Sequence, residues 1–145
     1  MQFARSILFV LVFVGVAYGH VTVQPRQSIT DKVETYSLRV PTEKPIPTVR
    51  IEVEFPPALK VVSFESKAGW KIEETKSASG DIVAVVLTGS IPPSEVAQFS
   101  FTARNPNTEG KVSLKAIQIY ADGSRAEWIG PEGSRSPAPV VDIRK

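Results

Sequence analysis

The chain has no cysteine, a single methionine, a single histidine and, after its first nineteen residues, no further long apolar run. Each scarcity removes a class of protein. Without cysteine there is no disulfide framework and no thiolate metal or redox site, so stability has to come from packing. Charge of one sign is not concentrated either: 17 Lys and Arg stand against 15 Asp and Glu, interspersed as in RIEVEF and KIEETK. No basic cluster is interleaved with aromatics, and nucleic acid is therefore not expected as a partner.

What is present begins with a leader. Arg5 is followed by the apolar run ILFVLVFVGV and then by Ala17, Tyr18 and Gly19, of which the small residues Ala17 and Gly19 occupy the two positions that a signal peptidase reads. The run is well short of the roughly 20 residues of a membrane span. Residues 1–19 are predicted to be a signal peptide cut between Gly19 and His20, leaving residues 20–145 as one domain that begins HVTVQP, periplasmic or secreted and without a membrane anchor. Met1 and Arg5 leave with the leader, so the mature chain would contain 16 Lys and Arg, no methionine, no cysteine and one imidazole. Soft thioether sites and multi-histidine sites within one chain are thereby excluded.

Period-two alternation runs through nearly all of the remaining sequence. In TYSLRVP, Tyr36, Leu38 and Val40 share one face; in VRIEVEF, Val49, Ile51, Val53 and Phe55 do the same. KVVSFES, GWKIEE, AQFSFTARNP, KVSLKAIQIY and the final VVDI repeat the pattern. DIVAVVLTG is almost continuously apolar, which suits a strand covered on both faces or a short helix; its β-branched content and the flanking Gly80 and Gly89 favour the strand. SASGD and ADGS, the latter with the turn pair Asp122-Gly123, read as hairpin connections. The expected fold is all-β: an antiparallel two-sheet sandwich, immunoglobulin-like or cupredoxin-like. Trp70, in AGWK, reads as packing.

His20 is placed where cleavage would make it chemically distinct. A terminal amine titrates near 8 and an imidazole near 6.5, so both give up a proton to a metal at little cost near neutral pH. The amine and Nδ1 of one terminal histidine close a six-membered chelate ring. Nitrogen-rich tetragonal sites favour Cu(II), with carboxylate or water completing the plane, whereas a typical zinc site asks for more imidazole or thiolate than this chain has. The plainer reading is an ordinary exposed residue at a frayed end. If HVTVQP and VETYSLRVPTE pair antiparallel around RQSITD, matching positions sum to roughly 57 to 63, which puts His20 opposite the stretch between Ser37 and Glu43. Glu43 then reaches the amino terminus, while Glu34 lies a strand length away near the turn. Trp128, in DGSRAEWIGP, reads either as a core tryptophan or as an aromatic wall beside a metal.

The leader followed directly by HVTVQP, then ETYSLRVPTEKPIPTVRIEVEFP, GWK, FSFTARNP and YADGSRAEWIGPEGSRSPAP, resembles the YcnI-like family of bacterial copper-binding domains over essentially the whole mature chain. The resemblance implies a β-sandwich that binds Cu(II) through a single-histidine brace: the amine and imidazole of His20, a glutamate, and Trp128 nearby. The family pattern carries a glutamate at both Glu34 and Glu43, and the strand register above prefers Glu43. The resemblance also implies a role in copper acquisition or delivery, with an extracytoplasmic copper chaperone or a membrane copper importer as partner. Some family members end in a membrane anchor; this chain ends VVDIRK, and a protein free of the membrane is expected. Two other functions compete with this reading. A metal-free immunoglobulin-like adhesion or assembly module accounts for the sandwich but not for the histidine. A copper-dependent oxidative enzyme of the lytic polysaccharide monooxygenase type uses a second histidine that this chain does not have.

Overall fold

The computed structural model describes residues 19–145, so the expected leader, apart from Gly19, lies outside the described residues. Within them every helix-or-strand element is a strand. They run β1 (Thr22–Gln24), β2 (Gln27–Ile29), β3 (Val33–Pro41), β4 (Thr48–Glu54), β5 (Lys60–Phe64), β6 (Lys71–Lys76), β7 (Ile82–Ile91), β8 (Val96–Arg104), β9 (Gly110–Ser113), β10 (Lys115–Tyr120), β11 (Arg125–Trp128) and β12 (Val140–Arg144).

The alternation that marked the strands sets their faces. Tyr36, Leu38 and Val40 of β3 and Phe99 and Phe101 of β8 point into the core, as do Ile51 and Val53 of β4 and Val85 and Leu87 of β7. Nine strands form one continuous sheet in the order β1-β3-β8-β5-β7-β4-β10-β11, with β6 also on β7. It folds over on itself. A single pair, Val61↔Ile82, joins the β1-β3-β8-β5 arm to the arm containing β7, β4, β10 and β11, and rings from the two arms meet inside: Phe55 lies 5.1 Å from Phe101, and Trp70 meets Phe99 edge-on at 4.9 Å. The result is a β-sandwich whose two layers share backbone pairing at one side.

Two expectations are refined and a third holds. The apolar run of β7 is a strand, but its outer face is not covered: Val83 is exposed and Val86 half-buried while Ile82, Val85, Leu87 and Ile91 fill the core. The segment RQSITD is more than a turn, because it contains β2, which pairs parallel to β12 from the far end of the chain, and β9 completes that three-stranded sheet. Trp70 packs as expected. Its indole lies on Gly89, where a side chain would collide with the ring. The β10–β11 hairpin turns at Asp122-Gly123 with Gly123 at φ 82°, a conformation that costs a residue with a side chain but not glycine. This tight turn returns the chain along β10 and delivers Trp128.

Candidate metal centre

β1 and β3 are antiparallel with Thr22↔Arg39, Val23↔Leu38 and Gln24↔Ser37, a constant sum of 61 that lies inside the expected window. Continuing that register by two residues sets His20 against Pro41, at the exit of β3, with Glu43 just beyond. There the main-chain nitrogen of Gly19 donates to Glu43 Oε1 at 2.7 Å. The approach is close enough that a Cβ on Gly19 would collide with that oxygen and lie 2.8 Å from the Pro41 ring. Glu43 itself is exposed and His20 half-buried, so the pair sits at the surface.

Trp128 arrives from the opposite edge of the nine-stranded sheet. Its indole lies 5.5 Å from the imidazole of His20, centroid to centroid, with the planes tilted by 51°. Only 8% of Trp128 is exposed, and its Nε1 donates inward to Gln118 Oε1 at 3.0 Å. The indole N–H is therefore committed away from His20, and the ring offers that side its carbon skeleton. Lys44, next to Glu43, turns aside to sit 4.7 Å above the Tyr120 ring and to donate to Ser124 Oγ at 2.8 Å. Burial raises the titration of the Tyr120 hydroxyl above its ordinary range, and the negative charge of Glu43 raises it further.

Glu34 belongs to another neighbourhood. Seven residues, roughly 23 Å of strand, separate it from Pro41. Its Oε2 accepts from Ser28 Oγ at 2.9 Å and from Lys32 Nζ at 3.0 Å. Burial pushes its carboxyl up, but the hydrogen bonds from Lys32 and Ser28 and the charge of Lys32 outweigh that and hold it below the usual 4.5.

Sequence reasoning missed the polar group beneath the candidate site. Gln118 is fully buried: besides accepting from Trp128, it donates from Nε2 to the Pro41 carbonyl at 2.8 Å and to Thr48 Oγ1 at 2.7 Å, and Thr48 is bonded to Thr42 at 2.8 Å. Alternation in KAIQIY gave a faint signal in the wrong sense, since it invites Ile117 and Ile119 inward. The opposite face is the buried one, with Ala116, Gln118 and Tyr120 inside. An open groove of about 340 Å³ is lined by His20 together with Arg26, Lys111 and Glu132, the last two joined by a 2.7 Å ion pair.

Set against known proteins, residues 20–143 match the family described as Domain of unknown function (DUF1775). The chain belongs to this family. A relative from Bacillus subtilis (strain 168), named Copper-binding protein CutI, is 33% identical over 140 residues, which is 95% of this chain and 67% of that one. The match bears out the YcnI-like resemblance read from the motifs. Among solved structures, a protein from Nocardia farcinica described as having an immunoglobulin-like fold superposes with a TM-score of 0.76 at 24% identity, covering 87% of this chain and 99% of that one. A non-cellulosomal cohesin from the archaeon Archaeoglobus fulgidus superposes with a TM-score of 0.54 at 9% identity, covering 87% and 91%. Both likenesses are of fold. Among the described residues of this DUF1775 chain no three His, Cys, Asp or Glu side chains are grouped as a metal site would group them.

Proposed function

We propose that this protein is an extracytoplasmic Cu(II)-binding protein, exported by a leader cut between Gly19 and His20. The mature chain would hold the ion with the His20 amine, the His20 imidazole and a Glu43 carboxylate oxygen, with Trp128 as an apolar wall beside them. Its role would be copper acquisition, trafficking or homeostasis, without catalysis, in exchange with an extracytoplasmic copper chaperone or a membrane copper importer.

The observation that carries this reading is the 2.7 Å contact between Glu43 Oε1 and the main-chain nitrogen immediately preceding His20, next to an imidazole that rests on Trp128. The Gly19 nitrogen would leave with the leader, and its contact supports a Glu43 carboxylate one residue from the His20 nitrogen that the cut would free as an amine. Two nitrogens and a carboxylate oxygen form a donor set suited to tetragonal Cu(II), and both nitrogens lose their protons readily near neutral pH. The name of the Bacillus subtilis relative and the start of the family match at residue 20 support the same reading. Oxidative catalysis of the two-histidine type is disfavoured because His20 is the only histidine.

The test is expression with the native leader, mass spectrometry of the first residue, and Cu(II) titration followed by electron paramagnetic resonance. Wild-type protein beginning at His20 should bind one ion with nitrogen hyperfine structure. A variant with Gly-Ser ahead of His20 should lose that spectrum; if its affinity and spectrum were unchanged, the amine brace would be wrong.

A further inference from the structure

We infer that Gln118 is a positioning residue for this site, holding Trp128 against His20 and tying the exit of β3, from which Glu43 projects, to the opposite layer; the inference rests on the copper reading above. Its side chain is completely buried and links its sheet neighbours β4 and β11 to the exit of β3, which backbone pairing does not join to β10. Trp128 is on β11, Pro41 ends β3 and Thr48 begins β4, and β3 is not a sheet neighbour of β10. Through Gln118 Nε2 the Pro41 carbonyl is bonded directly to the layer that carries Trp128.

The amide orientation is determined by its partners. An indole N–H only donates, so the atom facing Trp128 must be the amide oxygen; a backbone carbonyl only accepts, so the atom facing Pro41 must be the amide nitrogen. Turning the amide over would oppose donor to donor and acceptor to acceptor. One side chain therefore locks the indole and the strand exit in one relative arrangement. Burying a primary amide costs free energy that an aliphatic side chain would not incur, and the compensating bonds all lie at the His20 end. Nor does the network reach solvent elsewhere: it continues through Thr48 to Thr42, which is buried and bonded to the Ile91 carbonyl at 3.2 Å.

A residue that merely stabilises the core would lower the melting temperature when replaced and leave the site alone; a positioning residue alters the site in protein that is still folded. The comparison set is wild type, Gln118→Met, Thr48→Val and, as a core control away from the network, Val85→Ala. In folded Gln118→Met, Cu(II) affinity should fall about tenfold or more, the size seen when partners that orient metal ligands are removed, and the electron paramagnetic resonance parameters should shift. Thr48→Val, which removes one acceptor of Gln118 and keeps the shape, should give a smaller change in the same direction. It serves as the deciding variant if Gln118→Met does not fold. Val85→Ala should lose stability without altering the copper spectrum. Wild-type affinity and spectrum in the network variants, or an equal copper defect in Val85→Ala, would overturn the assignment.

A readout without metal separates failure of this inference from failure of the copper reading. In metal-free protein the indole ¹⁵N–¹H resonance of Trp128, identified by its disappearance in Trp128→Phe, should move in Gln118→Met and its cross-relaxation with the His20 ring should weaken. If wild type bound no copper, the proposed function would fall while this measurement still tested Gln118. An unmoved resonance with intact His20 contacts would remove the positioning role even if copper bound as proposed.

Discussion

The two ends of the sandwich are built from similar parts and left in opposite states. At one end Glu34, the buried amide Asn105 and the buried aromatic Tyr36 form a closed set: Tyr36 donates to Asn105, Asn105 donates to Ser28 at 2.8 Å and to the Ile29 carbonyl at 2.7 Å, and Ser28 donates to Glu34. At the other end Glu43, the buried amide Gln118 and the buried aromatic Trp128 stand in comparable relation, but the chain of bonds stops short of the carboxylate. Trp128 donates to Gln118 and Gln118 to Pro41 and Thr48, while Glu43 is exposed and held by a main-chain nitrogen. A carboxylate whose hydrogen bonds come from fixed side chains serves stability. One whose partner is the chain nitrogen beside a half-buried imidazole keeps oxygen lone pairs for a ligand.

That contrast is open to attack at several points. The largest effect is expected at the closed end: Asn105→Ala strands the buried Tyr36 hydroxyl and the Ile29 carbonyl, and urea denaturation should show a loss of about 3 kcal/mol with the Cu(II) affinity of the folded protein unchanged. An altered copper spectrum in that variant would mean that the ends are not separate. Next, Glu43→Gln should weaken Cu(II) binding tenfold or more, about 1.4 kcal/mol, and change the resonance spectrum, while Glu34→Gln leaves both alone; the reverse pattern would move the carboxylate ligand to the closed end. Trp128→Phe keeps an aromatic surface and breaks only one of the three bonds that Gln118→Met breaks, so isothermal titration should show a smaller loss than in Gln118→Met, less than tenfold. A greater one would give Trp128 a more direct part than a wall.

The smallest effect concerns acid. The Glu34 carboxyl titrates below its ordinary 4.5 in the folded protein, so its contribution is present above that value and is lost as pH falls through the lowered folded value. With Lys32 about half exposed, this amounts to less than about 1 kcal/mol. Glu34→Gln should flatten the acid limb of a stability-against-pH curve, and a curve of unchanged shape would show that the Lys32 and Ser28 contacts contribute nothing.

Much of the open end was legible beforehand. The alternation of HVTV against YSLRV and the length of RQSITD bounded a register that the β1–β3 pairing satisfies, and that register alone brings position 43 toward His20 and leaves position 34 behind. The polar group beneath was not legible. In KAIQIY the apolar residues invite the wrong face inward, because alternation says which side chains lie together and not which side meets the core. Asn105, in ARNP, gave no hint of its three partners, and the parallel β2–β12 pair joins segments more than a hundred residues apart.

By itself the sequence determined the chemical inventory: one imidazole, no thiol, and after the expected cut no thioether, in a chain whose alternation commits it to strands. Those are matters of composition and local period, and no folding alters them. Only the tertiary structure showed that the Glu43 carboxylate accepts from the Gly19 nitrogen and that a buried glutamine stands behind Trp128. Both depend on contacts between residues about 10 to 80 positions apart, set by how the nine-stranded sheet folds over on itself. A side chain's partners there are fixed by the packing of whole layers and not by its neighbours in the chain.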